Sequence, residues 1–139
     1  MDHVGPCLCG AVEVTAAGSP EAMGYRHCRS CRSSSGGPVD AFSLWQPDAV
    51  RVTKGAEQVA LCQARDERTQ ILREMRRASD DQSSPAQPGR RFAATIPTLA
   101  FTPAVHVDYA KAVPQIRDGL PKQKDFPAEF GGSGEFMDE

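Results

Sequence analysis

Two short stretches near the start of the chain, CLCG at residues 7–10 and CRSC at residues 28–31, contain four of its five cysteines. Thiolates this close in sequence can converge on one metal ion at little loop-closure cost. Soft sulfur ligands favour Zn²⁺. The same spacing is compatible with disulfides or with redox chemistry. The two pairs therefore predict a metal or thiol centre, and their surroundings have to separate these alternatives.

The size and composition of the chain fit one small domain with a modest core. It has 139 residues, of which 40% are hydrophobic and 6% aromatic, and a bound metal would help to stabilise such a core. The net charge of −2 gives no electrostatic reason to expect nucleic acid or a membrane surface as a partner. We find no secretory signal and no membrane-spanning apolar run, so we expect a cytoplasmic protein. In that compartment, close cysteines indicate metal or redox sites rather than disulfides.

Alternating apolar and polar residues predict a mainly β protein of short antiparallel sheets. The clearest segments are 12–15, 39–45, 50–53 and 105–109, and Gly and Pro separate them at the expected intervals. Within these segments Phe42, Leu44 and Trp45 are predicted to lie in the core. The alternation also predicts that His106 faces solvent, opposite a buried pair of valines.

The flanks of the second cysteine pair show no helical pattern, and the small residues at 33–37 predict a loop. His27 precedes Cys28 directly, but neighbouring side chains on a strand point to opposite faces. The sequence therefore predicts that His27 lies at the surface or supports the metal ligands from behind, and that it does not bind the metal itself.

Residues 63–91 differ in composition from the rest of the chain. They contain no Val, Phe, Tyr or Trp and many Arg, Asp, Glu and Ser. Within them we predict a polar helix at about 66–78 and a disordered stretch at 80–90. The tail, 114–139, is rich in Pro, Lys and Gly and is predicted to be extended. We expect a single domain over 1–139 that includes both of these segments.

Five motifs in order resemble the glutathione-dependent formaldehyde-activating enzyme / centromere protein V family. They are CLCGAV, HCRSCR, AFSLW, VTKGAE and the closing segment that begins ATIPTLAFTPAVHVDYA. The resemblance implies a small β-rich domain with two zinc sites. It assigns Cys7 and Cys9 to a structural site, completed by a later C-x-x-C, and Cys28 and Cys31 to a three-cysteine site where glutathione chemistry takes place. The predicted metal ligands are therefore Cys7, Cys9, Cys28 and Cys31, with Zn²⁺ as the cofactor and no catalytic residue assigned.

The chain departs from this family pattern in two places. Arg26 stands where the first cysteine of the second site is expected, and a guanidinium cannot bind Zn²⁺. The later C-x-x-C is missing, since Cys62 is the only remaining cysteine. A rearranged site that uses both N-terminal pairs together is a further alternative.

The missing motif is expected within the unusual segment 63–91, and a shift of reading frame would explain its loss. Codons compatible with residues 71–81 give FCGKCGGHLM when read one base forward, which restores a C-x-x-C. We therefore hypothesise that two compensating frameshifts bracket about 63–91. The chain as written lacks structural ligands and central strands, so we expect it to be unstable or partly disordered.

Three functional hypotheses follow. By resemblance, the protein is a zinc-binding carbon–sulfur lyase that handles a small thiol such as glutathione and its aldehyde adducts, impaired by the change at Arg26. The second hypothesis is a non-catalytic zinc-binding module or a degenerate product without function. The third is a dithiol oxidoreductase that uses Cys28 and Cys31. The sequence does not specify an oligomeric state.

Overall fold

Two β-sheets organise the chain in the computed structural model. The structure describes the backbone of residues 1–6, 9–64, 67–72, 75–81, 91–93 and 96–139, and the side chains of these residues except Ser34 and 59–93. The described strands are β1 (Asp2–Pro6), β2 (Glu13–Ala17), β3 (Ala22–Arg26), β4 (Asp40–Trp45), β5 (Val50–Lys54), β6 (Val59–Ala64), β7 (Glu67–Leu72), β8 (Met75–Asp81), β9 (Arg91–Ala93), β10 (Val105–Val107), β11 (Lys122–Gln123) and β12 (Phe136–Met137).

Helices are few and short in the described part of the chain. One α-helix, α1, spans Arg29–Ser35. Three single turns of 3₁₀-helix follow at Ala56–Gln58, Tyr109–Lys111 and Ala128–Phe130. Within the described ranges, no helix has the length and apolar character needed to cross a membrane.

The smaller sheet has the strand order β1-β2-β5, and the larger one the order β12-β11-β10-β3-β4-β9-β8-β7-β6. Most neighbours are antiparallel, but β10 runs parallel to both β3 and β11. These parallel pairings join the strand before the second cysteine pair to the C-terminal part of the chain. They therefore decide which distant residues approach that pair.

Strand β4 contributes to the core from both of its faces. Phe42 and Leu44 pack with Val107 in one cluster, whereas Trp45 packs with other residues in a second cluster. The Trp45 indole N–H donates to the Ser43 hydroxyl at 2.8 Å, so this polar pair is satisfied inside the core. The prediction that Phe42, Leu44 and Trp45 are core residues is confirmed, with exposures of 4%, 2% and 0%.

The predicted mainly β fold is confirmed, but the predicted polar helix at 66–78 is wrong. Where the structure describes this segment, the backbone forms β7 and β8, which pair with each other in antiparallel register. Tertiary pairing with β6 and β9 has overridden the local helix propensity of this charged stretch. The predicted disorder at 80–90 and the frameshift hypothesis fall largely outside the described residues, and the frameshift hypothesis stays untested.

Candidate functional site: a cysteine pair and buried histidines

The second cysteine pair lies at the start of α1, just after β3, with Cys28 as the residue before the helix and Cys31 in its first turn, and the two residues are joined by a disulfide. The Cα atoms of Cys28 and Cys31 are 5.2 Å apart. Both residues are nearly buried, with 9% and 8% of their surface exposed. The structure therefore brings these two predicted site residues together.

A short helix begins at this pair, contrary to the loop and the non-helical flanks that the sequence predicts. Cys28 is the N-cap of α1, and its sulfur accepts the backbone N–H of Cys31 at 3.3 Å. Gly36 ends the helix in the left-handed conformation, with φ 73°. A helix of seven residues is too short to show a clear apolar periodicity in the sequence. A thiol as N-cap is also less recognisable than Ser or Asp.

Arg26, at the position where the first cysteine of the second site is expected, forms an ion pair. Its guanidinium Nε donates to Asp40 Oδ2 at 3.0 Å, and Nη2 contacts the same oxygen. Arg26 and Asp40 are cross-strand partners in the β3–β4 register, which places the two side chains together. The guanidinium also lies 5.8 Å from the centre of the Phe42 ring. Arg26 is therefore fixed within the protein and offers no lone pair to a metal.

Only some of the predicted zinc ligands lie among the residues whose side chains the structure describes. Among them, no group of three or more His, Cys, Asp or Glu side chains is arranged to hold a metal ion. Cys28 and Cys31 contribute two sulfurs, whereas structural zinc sites use four ligands and catalytic sites three. Cys9 is exposed, and Cys7 lies outside the described residues, as does the side chain of Cys62. The described side chains alone therefore do not fit a zinc site.

A buried pair of histidines lies next to the cysteines, and sequence analysis missed it. Both His27 and His106 have 0% exposure, so the prediction of a solvent-facing His106 is wrong. His27 Nε2 and His106 Nδ1 are 2.8 Å apart, and the two rings stack with their centres 5.1 Å apart. The cause is the parallel β3–β10 pairing, in which the backbone N–H of His27 donates to Val107 O.

Charged residues of the C-terminal segment continue this hydrogen-bonded chain. His106 Nε2 lies 2.8 Å from Asp118 Oδ2, and Lys122 Nζ donates to Asp118 Oδ1 at 2.6 Å. The Lys122 ammonium also donates to Leu120 O and to Glu139 Oε1, both at 2.9 Å. All three of its protons are therefore used, which makes the burial of this lysine tolerable. The segment 114–139, which the sequence predicts to be extended, is therefore held against β10 by the contact between Asp118 and His106.

The network assigns the ring protons of the two histidines. The Asp118 carboxylate accepts, so His106 Nε2 carries a proton. In a neutral His106 ring, Nδ1 then accepts from His27 Nε2–H. This leaves His27 Nδ1 unprotonated, and it is buried without a hydrogen-bond partner among the described groups.

The electrostatics of the network keep His27 neutral. Burial, followed by the nearby charges of His106, Arg32 and Lys122, lowers the pKa of His27 to about 4. Burial acts to raise the pKa of Asp118, but hydrogen bonds from Lys122, His106 and the Leu120 amide outweigh it and hold that pKa well below its ordinary range. At neutral pH the site therefore combines a neutral His27 with an ionised Asp118.

Comparison with known proteins agrees with the resemblance seen in the motifs. The family model described as glutathione-dependent formaldehyde-activating enzyme (GFA) matches residues 2–75, which is just over half of the chain. The protein belongs to the GFA family. The matched region includes both cysteine pairs and the Arg26–Asp40 ion pair.

Two further comparisons complete the picture of this GFA protein. No curated protein matches its sequence. Among solved structures, the crystal structure of a Rhodobacter sphaeroides protein is similar, with 24% sequence identity and a TM-score of 0.49. That alignment covers 68% of this chain and 84% of the Rhodobacter chain.

Proposed function

We propose that this GFA protein acts on adducts between a small thiol of the glutathione class and an aldehyde, as a carbon–sulfur lyase of reduced efficiency. The observation that carries the proposal is the family match over 2–75, which contains the Cys28–Cys31 pair that the structure brings together. In this reaction a thiol sulfur adds to an aldehyde carbon, or the carbon–sulfur bond of the adduct breaks and the aldehyde is released.

The charges around the pair support an anionic thiol as substrate. Arg29 is exposed on the first turn of α1, and Arg32 is half-buried on the next turn. The Nε of Arg32 donates to His27 O at 3.2 Å, which leaves the rest of its guanidinium charge beside the pair. Glutathione carries two carboxylates, so two arginines on this helix complement its charge. We also propose a cytoplasmic location, where glutathione would be available as the thiol.

Zinc remains part of the proposal on the strength of the sequence pattern, and we assign no chemical step to it. Cys28 and Cys31 would hold the metal if further ligands joined them. Arg26 leaves this site short of a thiolate, which is the reason for expecting reduced efficiency. Restoring the ligand with Arg26→Cys is expected to raise the zinc content of the purified protein.

Exchange between free formaldehyde, glutathione and their adduct tests the activity. Magnetisation-transfer NMR measures this exchange at equilibrium, and the protein is expected to increase its rate above the spontaneous rate. Cys28→Ser and Cys31→Ser should each remove the increase, whereas Cys62→Ser, which changes a cysteine outside both pairs, should retain it. A rate equal to the spontaneous one with folded protein would refute the lyase proposal.

The fixed Arg26–Asp40 ion pair favours a second candidate, a non-catalytic zinc-binding module. Elemental analysis for zinc, made on the same samples, separates the two. Bound zinc without enhanced exchange would support the module. Neither zinc nor enhanced exchange in a poorly folded chain would support a degenerate product, in line with the frameshift hypothesis for 63–91. Resequencing of the source DNA tests that hypothesis directly.

A further inference from the structure

We propose that Gly119 and Lys122 form a carboxylate-binding site, which the Glu139 side chain fills in this structure and which a small carboxylate ligand can occupy in its place. The Gly119 backbone N–H donates to Glu139 Oε1 at 2.6 Å, and the Lys122 ammonium donates to the same oxygen at 2.9 Å. Two donors therefore converge on one charged oxygen. None of these residues belongs to the cysteine pair, so the inference stands independently of the lyase proposal.

Asp118 holds both donors in place. Its Oδ1 accepts a hydrogen bond from Lys122 Nζ at 2.6 Å and one from the Leu120 N–H at 3.1 Å. The Leu120 carbonyl accepts a second Lys122 proton at 2.9 Å, and Asp118 Oδ2 lies 2.8 Å from His106 Nε2. Because two of the three ammonium protons are used in this way, the third is directed at the position of Glu139 Oε1. These contacts do not involve Glu139, so the site stays formed when that side chain leaves.

The site has a buried cation below an exposed rim. The Lys122 side chain is 1% exposed, whereas the Glu139 side chain is 35% exposed and Gly119 lies at the surface. Burial acts to lower the pKa of Lys122, but hydrogen bonds to the Asp118 and Glu139 carboxylates outweigh it and raise that pKa above its ordinary value. Lys122 is therefore charged at neutral pH. A shielded ammonium attracts an anion more strongly than one that is surrounded by water.

The charges favour a carboxylate over a phosphate. Asp118 balances Lys122, so the Glu139 carboxylate already leaves a single excess negative charge in the group. Hydrogen bonds from Lys122 and Gly119 hold the pKa of Glu139 below its ordinary range, and like-charge repulsion from Asp118 opposes them. A phosphate dianion would add to this repulsion. A ligand with one carboxylate repeats the charge of Glu139 and adds none.

The segment that carries Glu139 is held weakly enough to be displaced. Strand β12 has two residues and pairs with β11 over that length. Its residues Phe136 and Met137 are 65% and 39% exposed, so they bury little apolar surface. Segments with few buried apolar contacts open locally at low free energy. A free carboxylate then competes with a tethered one, whose effective concentration is in the millimolar range for a short link.

Solution NMR of the full chain tests the site through the Gly119 amide resonance. Sodium acetate is titrated into isotopically labelled protein, with sodium chloride keeping the ionic strength constant. In Glu139→Ala the Gly119 amide loses its acceptor, so its proton resonance should move upfield and return downfield as acetate binds. The matched control is Glu135→Ala, which removes the same charge from the same segment but breaks an exposed pair with Lys124. In this control the Gly119 resonance should keep its wild-type position.

The affinities for acetate decide the outcome. Glu139→Ala should bind acetate several-fold more tightly than the wild-type protein, because no tethered carboxylate competes for the site, and Glu135→Ala should equal the wild type. Glu139→Gln keeps the shape of the side chain and should give a smaller gain, so it serves if the alanine variant fails to fold. A Gly119 resonance that does not respond to acetate in folded Glu139 variants, or equal affinities throughout, would overturn the proposal. Tighter binding of phosphate than of acetate at mildly alkaline pH would overturn the assignment of the ligand class.

Discussion

Stability is expected to fall between pH 7 and pH 5 because His27 is buried in its neutral form. Its pKa in the folded protein is about 4, whereas the unfolded chain has the ordinary value of about 6.5. Well above pH 6.5 neither state is protonated, so His27 makes no pH-dependent contribution there. As the pH falls below this value the unfolded chain takes up a proton and the folded protein does not, which favours unfolding.

The size of the effect follows from the two pKa values. Linkage over the interval from pH 7 to pH 5 gives a loss of roughly 2 kcal/mol from this one residue. The loss would level off near about pH 4, where the folded protein also becomes protonated. For a domain with a typical stability of about 5–15 kcal/mol, this is a readily measured fraction.

Urea denaturation at a series of pH values measures the effect, and His27→Gln is the matched variant. The glutamine Nε2 can still donate to His106 Nδ1, but the side chain does not titrate in this range. Wild-type protein should lose about 2 kcal/mol of unfolding free energy between pH 7 and pH 5, and the variant should lose much less. The reasoning fails if the two proteins have the same pH dependence, since the titrating group would then lie elsewhere.

Three further substitutions test other parts of the structure. Lys122→Met should lower the free energy of unfolding in urea melts by roughly 2–3 kcal/mol. This is less than for a fully buried ion pair, because about a third of the side chains of Asp118 and Glu139 is exposed. The control Lys124→Met removes only a solvent-exposed pair with Glu135 and should leave the free energy of unfolding unchanged. Gly24→Ala should lower the free energy of unfolding by about 1–3 kcal/mol, because the added Cβ would collide with the Val105 carbonyl oxygen of β10. In the control Gly5→Ala the added Cβ makes only ordinary contacts with Ile96, so the same assay should show little change. Arg26→Cys should raise the zinc-to-protein ratio found by elemental analysis, and an unchanged ratio in folded protein would contradict the assignment of position 26 to the metal site.

The local pattern of the sequence was sufficient for the fold class and for the cysteine pair. The pattern of 39–45 identified β4 and its core residues Phe42, Leu44 and Trp45. This was possible because a strand that is covered on both faces is rich in apolar residues, which its own sequence reveals. Cys28 and Cys31 are close in sequence, so their approach in space required little from the rest of the fold. The GFA motifs could also be recognised from the sequence alone, because each of them is short and they follow one another in a fixed order.

The pairings between strands that are distant in sequence could not be predicted from the sequence. The antiparallel register of β3 and β4 places Arg26 against Asp40, so the arginine that stands where a cysteine is expected has a partly buried carboxylate as its partner. In 66–78, pairing of β7 with its neighbours formed strands where local propensity favoured a helix. Neither outcome is encoded within a window of ten residues.

By itself, the sequence determined that this protein is a mainly β member of the GFA family with a close cysteine pair, and with an arginine where the family resemblance leads us to expect a further cysteine. Only the tertiary structure decided the environment of that pair. His27 and His106 are 79 residues apart, and they meet because β10 pairs in parallel with β3. Alternation assigned His106 to the solvent because it assumes that one face of a strand is exposed. In this sheet the polar face of β10 is covered by the chain around Asp118 and Lys122, and a histidine can be buried there because those charges satisfy its hydrogen bonds.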